Sequence, residues 1–308
     1  MKVFVMDAIN EDVSRKIAES YEVILPPLSR ELDWRKEADA IIVRTFPVTK
    51  QDLKECTNLK IIAKHGVGVD NIDLIAAQEN NIIVTNTPGA NSNSVAEYVI
   101  TLILSLFRNL PSYNNLVKQG NWHSLSTSFE LHEKTIGLIG LGDIGSKVSR
   151  ILKNGFNTNI LAYDPFTSDE QFKKLEVQKV NSISELLLAC DVISLHVPLN
   201  EATKNMISLP ELLKMKPTSI LINVSRGGVV NEDDLYKALN EKIIFAAACD
   251  VFQQEPVEKN SPLLTLENFI ASPHIGGSSI ESLKRMGLGA LKNIDAVFNN
   301  QIPPNQIV

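Results

Sequence analysis

Cysteine is scarce in this chain, with only Cys56, Cys190 and Cys249 in 308 residues. These residues form no C-x-x-C pair and stand in apolar surroundings, which favours reduced, buried thiols over a disulfide framework or a metal site. The histidines and acidic residues also lack the spacing of metal ligands. We therefore expect a cytoplasmic protein that binds no metal.

Long apolar runs and clusters of basic residues are missing as well. Residues 1–9 are too short an apolar run for a signal peptide and include Asp7. The longest apolar segment, 95–107, is shorter than a membrane span and includes Glu97. The net charge is −6, with 44% hydrophobic and 21% charged residues. This composition is that of an ordinary globular protein and predicts neither a membrane nor nucleic acid as a partner.

Strand and helix signals alternate regularly along the chain, which is typical of an α/β protein with open parallel sheets. Strands are predicted at residues 2–6, 22–25, 40–44, 60–64 and 82–86, and in a second series at 135–140, 159–163, 192–197, 219–224, 245–250 and 269–272. Helices are predicted at 10–20, 50–56, 72–80, 94–108, 184–189, 232–240 and 279–299. The length predicts about two domains. We place one at residues 1–98 and 280–308 and the other at 99–279.

The loop that follows the strand at residues 135–140 is the most informative motif of the chain. Gly140, Gly142 and Gly145 form a G-x-G-x-x-G sequence between a strand and a helix. Gly140 permits the tight turn, Gly142 lets the backbone approach a pyrophosphate, and Gly145 lets the helix pack closely on the strand. The helix N-terminus supplies N–H groups and a positive dipole end to the phosphates. This context predicts a dinucleotide site.

The second strand of this unit ends at Asp164, whose carboxylate can accept the ribose hydroxyls of the dinucleotide. No arginine follows closely to bind a 2′-phosphate, so NAD is favoured over NADP. The intervening helix is expected to end at Asn154-Gly155. The structural alternative for the whole segment is an ordinary β-α-β crossover with a glycine turn.

The predicted helix at 94–108 has an unusual distribution of polar residues. Those residues lie three and four positions apart in one narrow stripe, and every other position is apolar; the stripe consists of Ser94, Glu97, Thr101, Ser105 and Arg108. A helix this apolar must be covered on most sides. We expect it to pack on its own core and on a second subunit, which predicts a homodimer.

Residues capable of chemistry follow nearly every strand of the second series. They are the Gly140–Gly145 loop, Asp164, the 196–198 segment (HVP), the 225–228 segment (SRGG), Asp250 with Glu255, and the 273–277 segment (PHIGG). In an open α/β sheet, ligands bind outside the carboxyl ends of the strands. This convergence predicts a catalytic site at that edge.

Hydride transfer at a carbinol carbon needs two protein groups that this set contains. Arg226 can hold a substrate carboxylate and polarise the carbonyl oxygen, and His274 can exchange a proton with the hydroxyl. Glu255 can stabilise the imidazolium and fix the ring tautomer. Each residue has a structural alternative, namely a surface ion pair for Arg226, an inert loop carboxylate for Glu255 and a structural histidine for His274. His196 is equally a core histidine or a cofactor-lining one.

Six motifs spread along the chain follow one family pattern. They are residues 64–73 (KHGVGVDNID), 86–97 (NTPGANSNSVAE), 137–145 (GLIGLGDIG), 221–228 (LINVSRGG), 249–256 (CDVFQQEP) and 272–277 (SPHIGG). With these motifs the chain resembles the D-2-hydroxyacid dehydrogenase family over nearly its whole length, and within it the phosphoglycerate dehydrogenase branch. The resemblance implies a doubly wound, Rossmann-type NAD domain, a second, flavodoxin-like α/β substrate domain, and a homodimer.

The resemblance also implies residue roles. Catalysis would rest on Arg226, Glu255 and His274. The residues implied or predicted at NAD are Val67, Gly140, Gly142, Asp143, Ile144, Gly145, Asp164, His196, Val197, Pro198, Thr203, Val224, Ser225, Asp250, Gly276 and Gly277. Among them, Asp250 would hold the nicotinamide amide. The residues implied at a small 2-hydroxy or 2-keto acid, in a cleft between the domains, are Arg44, Lys64, Gly66, Val67 and Gly68, with Arg226 and His274.

Departures from the branch pattern bear on the substrate. Phosphoglycerate enzymes usually carry further basic residues where this chain has Arg44-Thr-Phe-Pro47, and often after the tryptophan equivalent to Trp122, where residues 124–130 have none. A phosphate is held by two or three cations or by a group of N–H donors. Arg44 and Lys64 supply two cations, so 3-phosphoglycerate stays the leading substrate. The C-terminal regulatory domain of longer family members is expected to be absent.

Other functions remain open. Within the enzyme class, the alternative is reduction of glyoxylate, hydroxypyruvate or another small 2-keto acid. Formate enzymes have glutamine where Glu255 stands, so formate and phosphite oxidation are disfavoured. Outside the class, corepressors that sense NAD(H) share the expected fold. An intact Arg226, Glu255 and His274 set argues against such a binding protein.

Overall fold

The computed structural model describes residues 1–122 and 128–308, which form two compact units. Unit 1 consists of Met1–Asn91 and Gly277–Val308, and unit 2 of Ser92–Gly276. The sequence placed the first boundary after residue 98, which falls inside one continuous helix. Val95 and Ala96 of that helix pack in the core of unit 2, so the whole helix belongs to unit 2. The assignment of unit 1 to substrate and unit 2 to NAD stays a prediction.

Unit 1 is a five-stranded parallel sheet with helices on both faces. The strand order β2-β1-β3-β4-β5 is the flavodoxin-like order. Its elements are β1 (Lys2–Val5), α1 (Glu11–Ala18), β2 (Glu22–Ile24), α2 (Leu28–Glu31), α3 (Trp34–Glu37), β3 (Ala40–Val43), α4 (Lys50–Glu55), β4 (Ile61–Lys64), α5 (Leu74–Glu79), β5 (Ile83–Thr85) and, from the end of the chain, α13 (Ile280–Phe298).

The inner strands of unit 1 are buried on both faces, as expected for the near-continuous apolar runs of a parallel sheet. One face packs on α1 and α13, the other on α3, α4 and α5. The edge strand β5 is also paired with the last residues of the chain. The Ile307 N–H donates to the Val84 carbonyl at 2.7 Å, and Thr85 forms an antiparallel bridge with Gln306.

Unit 2 contains a seven-stranded parallel sheet with the order β12-β11-β10-β9-β6-β7-β8. From β8 to β11 this is the 3-2-1-4-5-6 order of doubly wound dinucleotide-binding sheets, extended by β12. The elements are α6 (Ser92–Phe107), α7 (Leu110–Lys118), β6 (Thr135–Ile139), α8 (Asp143–Phe156), β7 (Asn159–Tyr163), α9 (Asp169–Leu175), β8 (Gln178–Lys179), α10 (Ile183–Ala189), β9 (Val192–Leu195), α11 (Leu209–Leu212), β10 (Ile220–Asn223), α12 (Glu232–Asn240), β11 (Ala246–Cys249), a 3-10 helix at Pro262–Thr265, and β12 (Phe269–Ala271). Both sheets confirm the predicted fold class.

Helix α6 is covered largely within its own chain. It starts at Ser92, two residues before the predicted start, and ten of its sixteen residues are buried. Its apolar side chains share one core with Val148 and Leu152 of α8 and with β6. The predicted packing of this helix on its own core is thus observed, while its packing on a second subunit stays a prediction.

Helix α8 runs two residues past its predicted end at Asn154-Gly155. Its C-cap is Asn157, which has a left-handed backbone with φ of 53° and donates its N–H to the Lys153 carbonyl. Asparagine tolerates this conformation better than most residues do, so it can end a helix where glycine is the usual choice.

The remaining general expectations concern thiols, membranes and metals. All three cysteines are free; Cys190 and Cys249 are buried and Cys56 is half-buried. Within residues 1–122 and 128–308, we find no helix with the length and apolarity to cross a bilayer. In the same ranges, no group of three or more histidine, cysteine or acidic side chains is placed to hold a metal ion.

Candidate active site

The glycine loop after β6 has the close backbone contacts that its sequence predicts. Gly140 has φ of +97°, and a Cβ there would lie 2.5 Å from the His196 carbonyl oxygen. A Cβ at Gly145 would lie 2.3 Å from the Gly140 carbonyl oxygen. At Gly142, by contrast, no atom lies within 4 Å of the Cβ position. The loop is therefore closely packed at Gly140 and Gly145, and the space next to Gly142 is free of protein atoms. Asp143 and Ile144 follow in the first turn of α8. This shape fits a dinucleotide pyrophosphate.

Asp164, at the tip of β7, binds the glycine loop directly. Its Oδ2 accepts the Leu141 N–H at 2.7 Å, and its Oδ1 accepts the N–H groups of Phe166 and Thr167 at 2.8 and 3.1 Å. Burial opposes ionisation, but these donors outweigh it and hold the pKa of the Asp164 carboxyl below its usual value. The carboxylate is thus ionised at neutral pH, at the position where a ribose is expected.

His196 lies next to the glycine loop and is partly buried. Its Nε2 is 3.0 Å from the Ser194 hydroxyl, and burial lowers the pKa of the imidazole to about 4. The ring is thus neutral at pH 7, and both alternatives left open by the sequence remain. Close by, the Thr203 hydroxyl donates to the Pro198 carbonyl at 2.6 Å and closes the turn between them. Direct contact of Val197, Pro198, Thr203 or His196 with a cofactor stays a prediction.

Arg226 lies in the turn after β10. Its Nη1 donates to the Ser225 carbonyl at 2.7 Å, while Val224 and Ser225 are largely buried below it. Asn223, the last residue of β10, hydrogen-bonds both Ser225 and Arg226. Sequence reasoning missed Asn223, since nothing in its spacing separates it from any strand-terminal asparagine.

Glu255 and His274 form the acid–base pair predicted from the sequence. Nδ1 of His274 lies 2.8 Å from Oε2 of Glu255, and Oε1 of Glu255 accepts the Phe252 N–H at 3.0 Å. Burial works against ionisation of Glu255, but the bonds from His274 and Phe252 prevail and hold the pKa of the carboxyl below its usual value. The carboxylate orients the ring through Nδ1, which leaves Nε2 for a reacting group. The His274 side chain is about half exposed, so it is accessible to a substrate.

Asp250, the residue implied at the nicotinamide amide, is almost completely buried in this structure. It is 2% exposed, and its carboxylate accepts hydrogen bonds from Ser272 Oγ, the Ile275 N–H and the Gly276 N–H at 2.7, 2.9 and 2.8 Å. These bonds fix the loop that holds His274 in a left-handed conformation with φ of 55°. In this structure Asp250 therefore supports the His274 loop, and the implied bond to a nicotinamide amide remains a prediction.

Gly276 and Gly277, predicted together at the cofactor, fall in different units. In unit 2, a Cβ at Gly276 would lie 3.1 Å from Asp250 Oδ2 and 3.3 Å from the ring of Tyr98. In unit 1, a Cβ at Gly277 would lie 3.1 Å from Asn91 Nδ2. The close packing at Gly276 explains why glycine is needed in the His274 loop.

The residues expected at the substrate in unit 1 surround the ends of β3 and β4. Lys64 is 7% exposed, and its ammonium group donates to the Arg44 carbonyl at 2.7 Å and to Asn71 Oδ1. The Arg44 guanidinium donates to the Ser278 hydroxyl at 2.6 Å. Gly66 is hydrogen-bonded to Thr87, and the Val67 carbonyl accepts from Asn86; Gly68 follows in the same loop. Lys64 thus bonds the protein itself, although the sequence predicted it at the substrate.

Asp7, at the end of β1, organises the same loop and was not singled out from the sequence. Its Oδ2 accepts three consecutive N–H groups, those of Arg44, Thr45 and Phe46, at 2.7, 3.0 and 3.1 Å. Its Oδ1 accepts from Arg30 at 3.0 Å. A run of N–H groups of this kind is an anion-binding arrangement. Here the anion is a carboxylate of the protein.

Residues 123–127, part of the segment after Trp122 that lacks basic residues, lie outside the described residues. Any role they have in phosphate binding is therefore left as predicted from the sequence.

Comparison with known proteins assigns the family. The model of the D-isomer specific 2-hydroxyacid dehydrogenase NAD-binding domain matches residues 100–276. A D-3-phosphoglycerate dehydrogenase of Methanocaldococcus jannaschii is 40% identical over 100% of this chain, which spans only 59% of that relative. A glyoxylate reductase of Korarchaeum cryptofilum is 37% identical over 99% of this chain and 95% of its own length. The structure of a D-lactate dehydrogenase of Aquifex aeolicus, complexed with NAD and lactic acid, superposes with a TM-score of 0.87 at 31% identity, covering 100% of this chain and 99% of the other. The chain, with its glycine loop, its Glu255–His274 pair and these matches, belongs to the D-isomer specific 2-hydroxyacid dehydrogenase family.

Proposed function

We propose that the protein transfers a hydride between C2 of a small D-2-hydroxy acid and NAD, with Arg226 and His274 as its catalytic residues. The single observation that carries this assignment is the 2.8 Å pair of His274 Nδ1 and Glu255 Oε2, in which the half-exposed imidazole stands on a loop bonded to the buried Asp250. A carboxylate that holds one ring nitrogen leaves the other free to exchange a proton with substrate, which is the arrangement of an acid–base catalyst.

In the reductive direction, Arg226 binds the substrate carboxylate and orients the 2-keto group, and its charge polarises the carbonyl oxygen. His274, protonated and stabilised by Glu255, donates a proton from Nε2 to that oxygen as it becomes a hydroxyl. In oxidation the same nitrogen accepts the hydroxyl proton. The nicotinamide, when bound, supplies or accepts the hydride. The glycine loop at Gly140–Gly145 would hold its pyrophosphate, and Asp164 would hold its ribose.

The proposed roles predict the behaviour of a His274→Ala variant. Loss of the general acid should lower kcat by about a hundred- to ten-thousandfold. The dissociation constant of NADH should stay nearly unchanged, because the imidazole contributes a proton rather than cofactor affinity. Steady-state kinetics and NADH fluorescence titration measure the two quantities. A kcat close to that of the wild type would refute the role of His274, and tight NADH binding with no turnover of any acid by the wild type would refute the enzyme assignment.

We propose that the substrate is an unphosphorylated 2-keto acid of the glyoxylate or hydroxypyruvate type, ahead of 3-phosphoglycerate, which the sequence favoured. Lys64 bonds the Arg44 carbonyl and Asn71, and the N–H groups of residues 44–46 bind Asp7. The Lys64 ammonium group and these N–H groups, which could otherwise bind a phosphate, therefore already bind groups of the protein. A phosphoglycerate dehydrogenase and a glyoxylate reductase match this chain at similar identity, 40% and 37%, so the choice between them rests on these contacts.

NAD is proposed over NADP because Asp164 is ionised where the adenine ribose would lie. A carboxylate accepts hydrogen bonds from the 2′- and 3′-hydroxyls and repels a 2′-phosphate. Solved relatives include complexes with NAD and with NADPH, so the preference is a property to be measured on this chain.

A matched pair of substrates tests both proposals in one assay. Hydroxypyruvate and its 3-phosphorylated form differ only in the phosphate, and each can be reduced with NADH or NADPH. We expect kcat/KM to be at least about tenfold higher for hydroxypyruvate and at least about tenfold higher with NADH, each equivalent to about 1.4 kcal/mol. Preference for the phosphorylated acid would restore 3-phosphoglycerate as the substrate, and preference for NADPH would overturn the cofactor proposal.

We also propose a homodimer, now on the basis of α7 rather than α6. No residue of α7 is buried, although the helix carries Leu110, Leu116 and Val117. Leu110 is 60% exposed, and the neighbouring Trp122 is 87% exposed. Apolar side chains clustered in this way mark an interaction surface. The resemblance to a family whose members are usually dimers supports a second copy of this chain as the partner.

A further inference from the structure

The side chain of Asn223 is bonded to both sides of the catalytic turn that follows β10. It is 2% exposed. Its Oδ1 accepts the Ser225 N–H at 3.1 Å and the Ser225 hydroxyl at 2.8 Å, and its Nδ2 donates to the Arg226 carbonyl at 3.0 Å. One amide group therefore spans the peptide bond that joins Ser225 to Arg226.

The guanidinium is linked to the same turn. Nη1 of Arg226 donates to the Ser225 carbonyl at 2.7 Å, and the orientation of this carbonyl depends on the peptide that Asn223 holds. An arginine side chain has many rotamers, and holding it in one of them costs conformational entropy. Because the Ser225 carbonyl is held beside the guanidinium, the Arg226 side chain can adopt fewer orientations.

The base of the turn is also fixed. Asn223 pairs with Leu195 of β9 and with Cys249 of β11, and its carbonyl accepts the Asp250 N–H at 2.9 Å. After Arg226 the chain passes so close to the 252 segment that a Cβ at Gly227 would lie 1.8 Å from the Phe252 carbonyl oxygen. The backbone of Arg226 is thus held from the sheet, from the neighbouring segment and by the Asn223 amide.

We propose that Asn223 is a positioning residue, whose side-chain amide sets the backbone of Arg226 so that the guanidinium is presented to a substrate carboxylate. The inference rests on the proposed role of Arg226. An amide is required because the position needs an acceptor for Ser225 and a donor for the Arg226 carbonyl at the same time. Aspartate supplies only the acceptor and alanine supplies neither.

The first test compares Asn223→Ala with a matched control. Asn268→Ala removes another asparagine of unit 2 whose Nδ2 donates to backbone carbonyls, those of Leu239 and Phe245. We expect Asn223→Ala to raise the KM of the 2-keto acid and lower kcat/KM by about tenfold or more, the effect of misplacing a carboxylate-binding group. The dissociation constant of NADH should stay within about twofold of the wild-type value, and the control should keep wild-type kinetics. Equal kinetic losses in the two variants would overturn the proposal.

A double-mutant cycle with Arg226→Lys separates positioning from general destabilisation. If Asn223 acts through Arg226, the double variant should lose little more kcat/KM than Arg226→Lys alone, whereas independent effects multiply. Multiplying losses would therefore contradict the role of Asn223. If Arg226→Lys itself leaves kcat/KM unchanged, the proposed function of Arg226 fails instead. Should Asn223→Ala not fold, Asn223→Asp keeps the acceptor and is expected to show the same rise in KM; an unchanged KM in that variant would overturn the inference.

Discussion

At the scale of single residues, the turns that carry the proposed catalytic groups are held by buried polar side chains that hydrogen-bond to backbone. Asp250 fixes the His274 loop, Asn223 the Arg226 turn and Asp7 the loop after β3. Each lies at or just past the carboxyl end of a strand, where free N–H groups of the next loop need acceptors. Catalytic groups can then stay exposed on turns whose backbone is ordered from below.

Asp7 offers a test of this arrangement that does not depend on activity. Burial opposes its ionisation, but the N–H groups of Arg44 and Phe46 and the donors of Thr45 outweigh burial and hold the pKa of Asp7 below its usual value. Its contribution to the free energy of unfolding is therefore fully present above the ordinary carboxyl pKa, about 3.9. The contribution is lost as the pH falls through the lower, folded-state value.

We expect Asp7→Asn to lower the free energy of unfolding at pH 7 by about 2 kcal/mol, the magnitude of hydrogen bonds to a buried charge. The variant should also lose less stability than the wild type between pH 5 and pH 3, in urea unfolding monitored by circular dichroism. Asp12→Asn is the control, because the exposed Asp12 pairs with the surface cations Arg15 and Lys284 and its removal should cost much less stability than that of Asp7. A pH dependence equal to that of the wild type would show that Asp7 is not the group responsible.

At the scale of elements, long helices and buried strands could be predicted because their periodicity is strong. Apart from β8, the strands of both sheets and helices α1, α6, α12 and α13 were found close to their predicted positions. Short elements such as α9, with seven residues, and β8, with two, were missed because they carry too little periodic signal. For α6, the helix and its packing on its own core could be predicted, whereas apolarity alone does not tell whether a second subunit also covers it.

Helix α7 makes the proposed dimer testable. In sedimentation velocity at micromolar concentration, the wild type should sediment as a species of about 68 kDa, twice the chain mass of 34.0 kDa. Val117→Glu places a charge on the α7 surface and should give the monomer, since burying an unpaired charge opposes association. Ile75→Glu is a matched control, because Ile75 is 71% exposed on α5 in unit 1. A monomeric wild type, or equal effects of the two substitutions, would contradict an interface at α7.

At the scale of the whole molecule, the two parallel sheets and the contact between Glu255 and His274 could be predicted, while the partners of Lys64 and of the 44–46 loop could not. Arg226, Glu255 and His274 follow strands, and parallel strands bring their carboxyl ends to one edge, so sequence order alone implies a common site. The ammonium group of Lys64 is bonded to Asn71 and to the Arg44 carbonyl. The N–H groups of the 44–46 loop are bonded to Asp7, which is 37 residues before Arg44 in the sequence. Such partners are fixed only when the tertiary fold is known.

The pairing of residues 305–308 with β5 has a consequence for the solution behaviour of unit 1. An open sheet edge presents a row of amides on which a strand from another molecule can be templated, a common route to fibrous assembly. In unit 1, residues 305–308 form a short antiparallel segment along the edge of β5, with Ile307 and Val308 hydrogen-bonded to Val84. On the far edge, β2 is only three residues long. The sheet is thereby protected at both margins against growth from molecule to molecule.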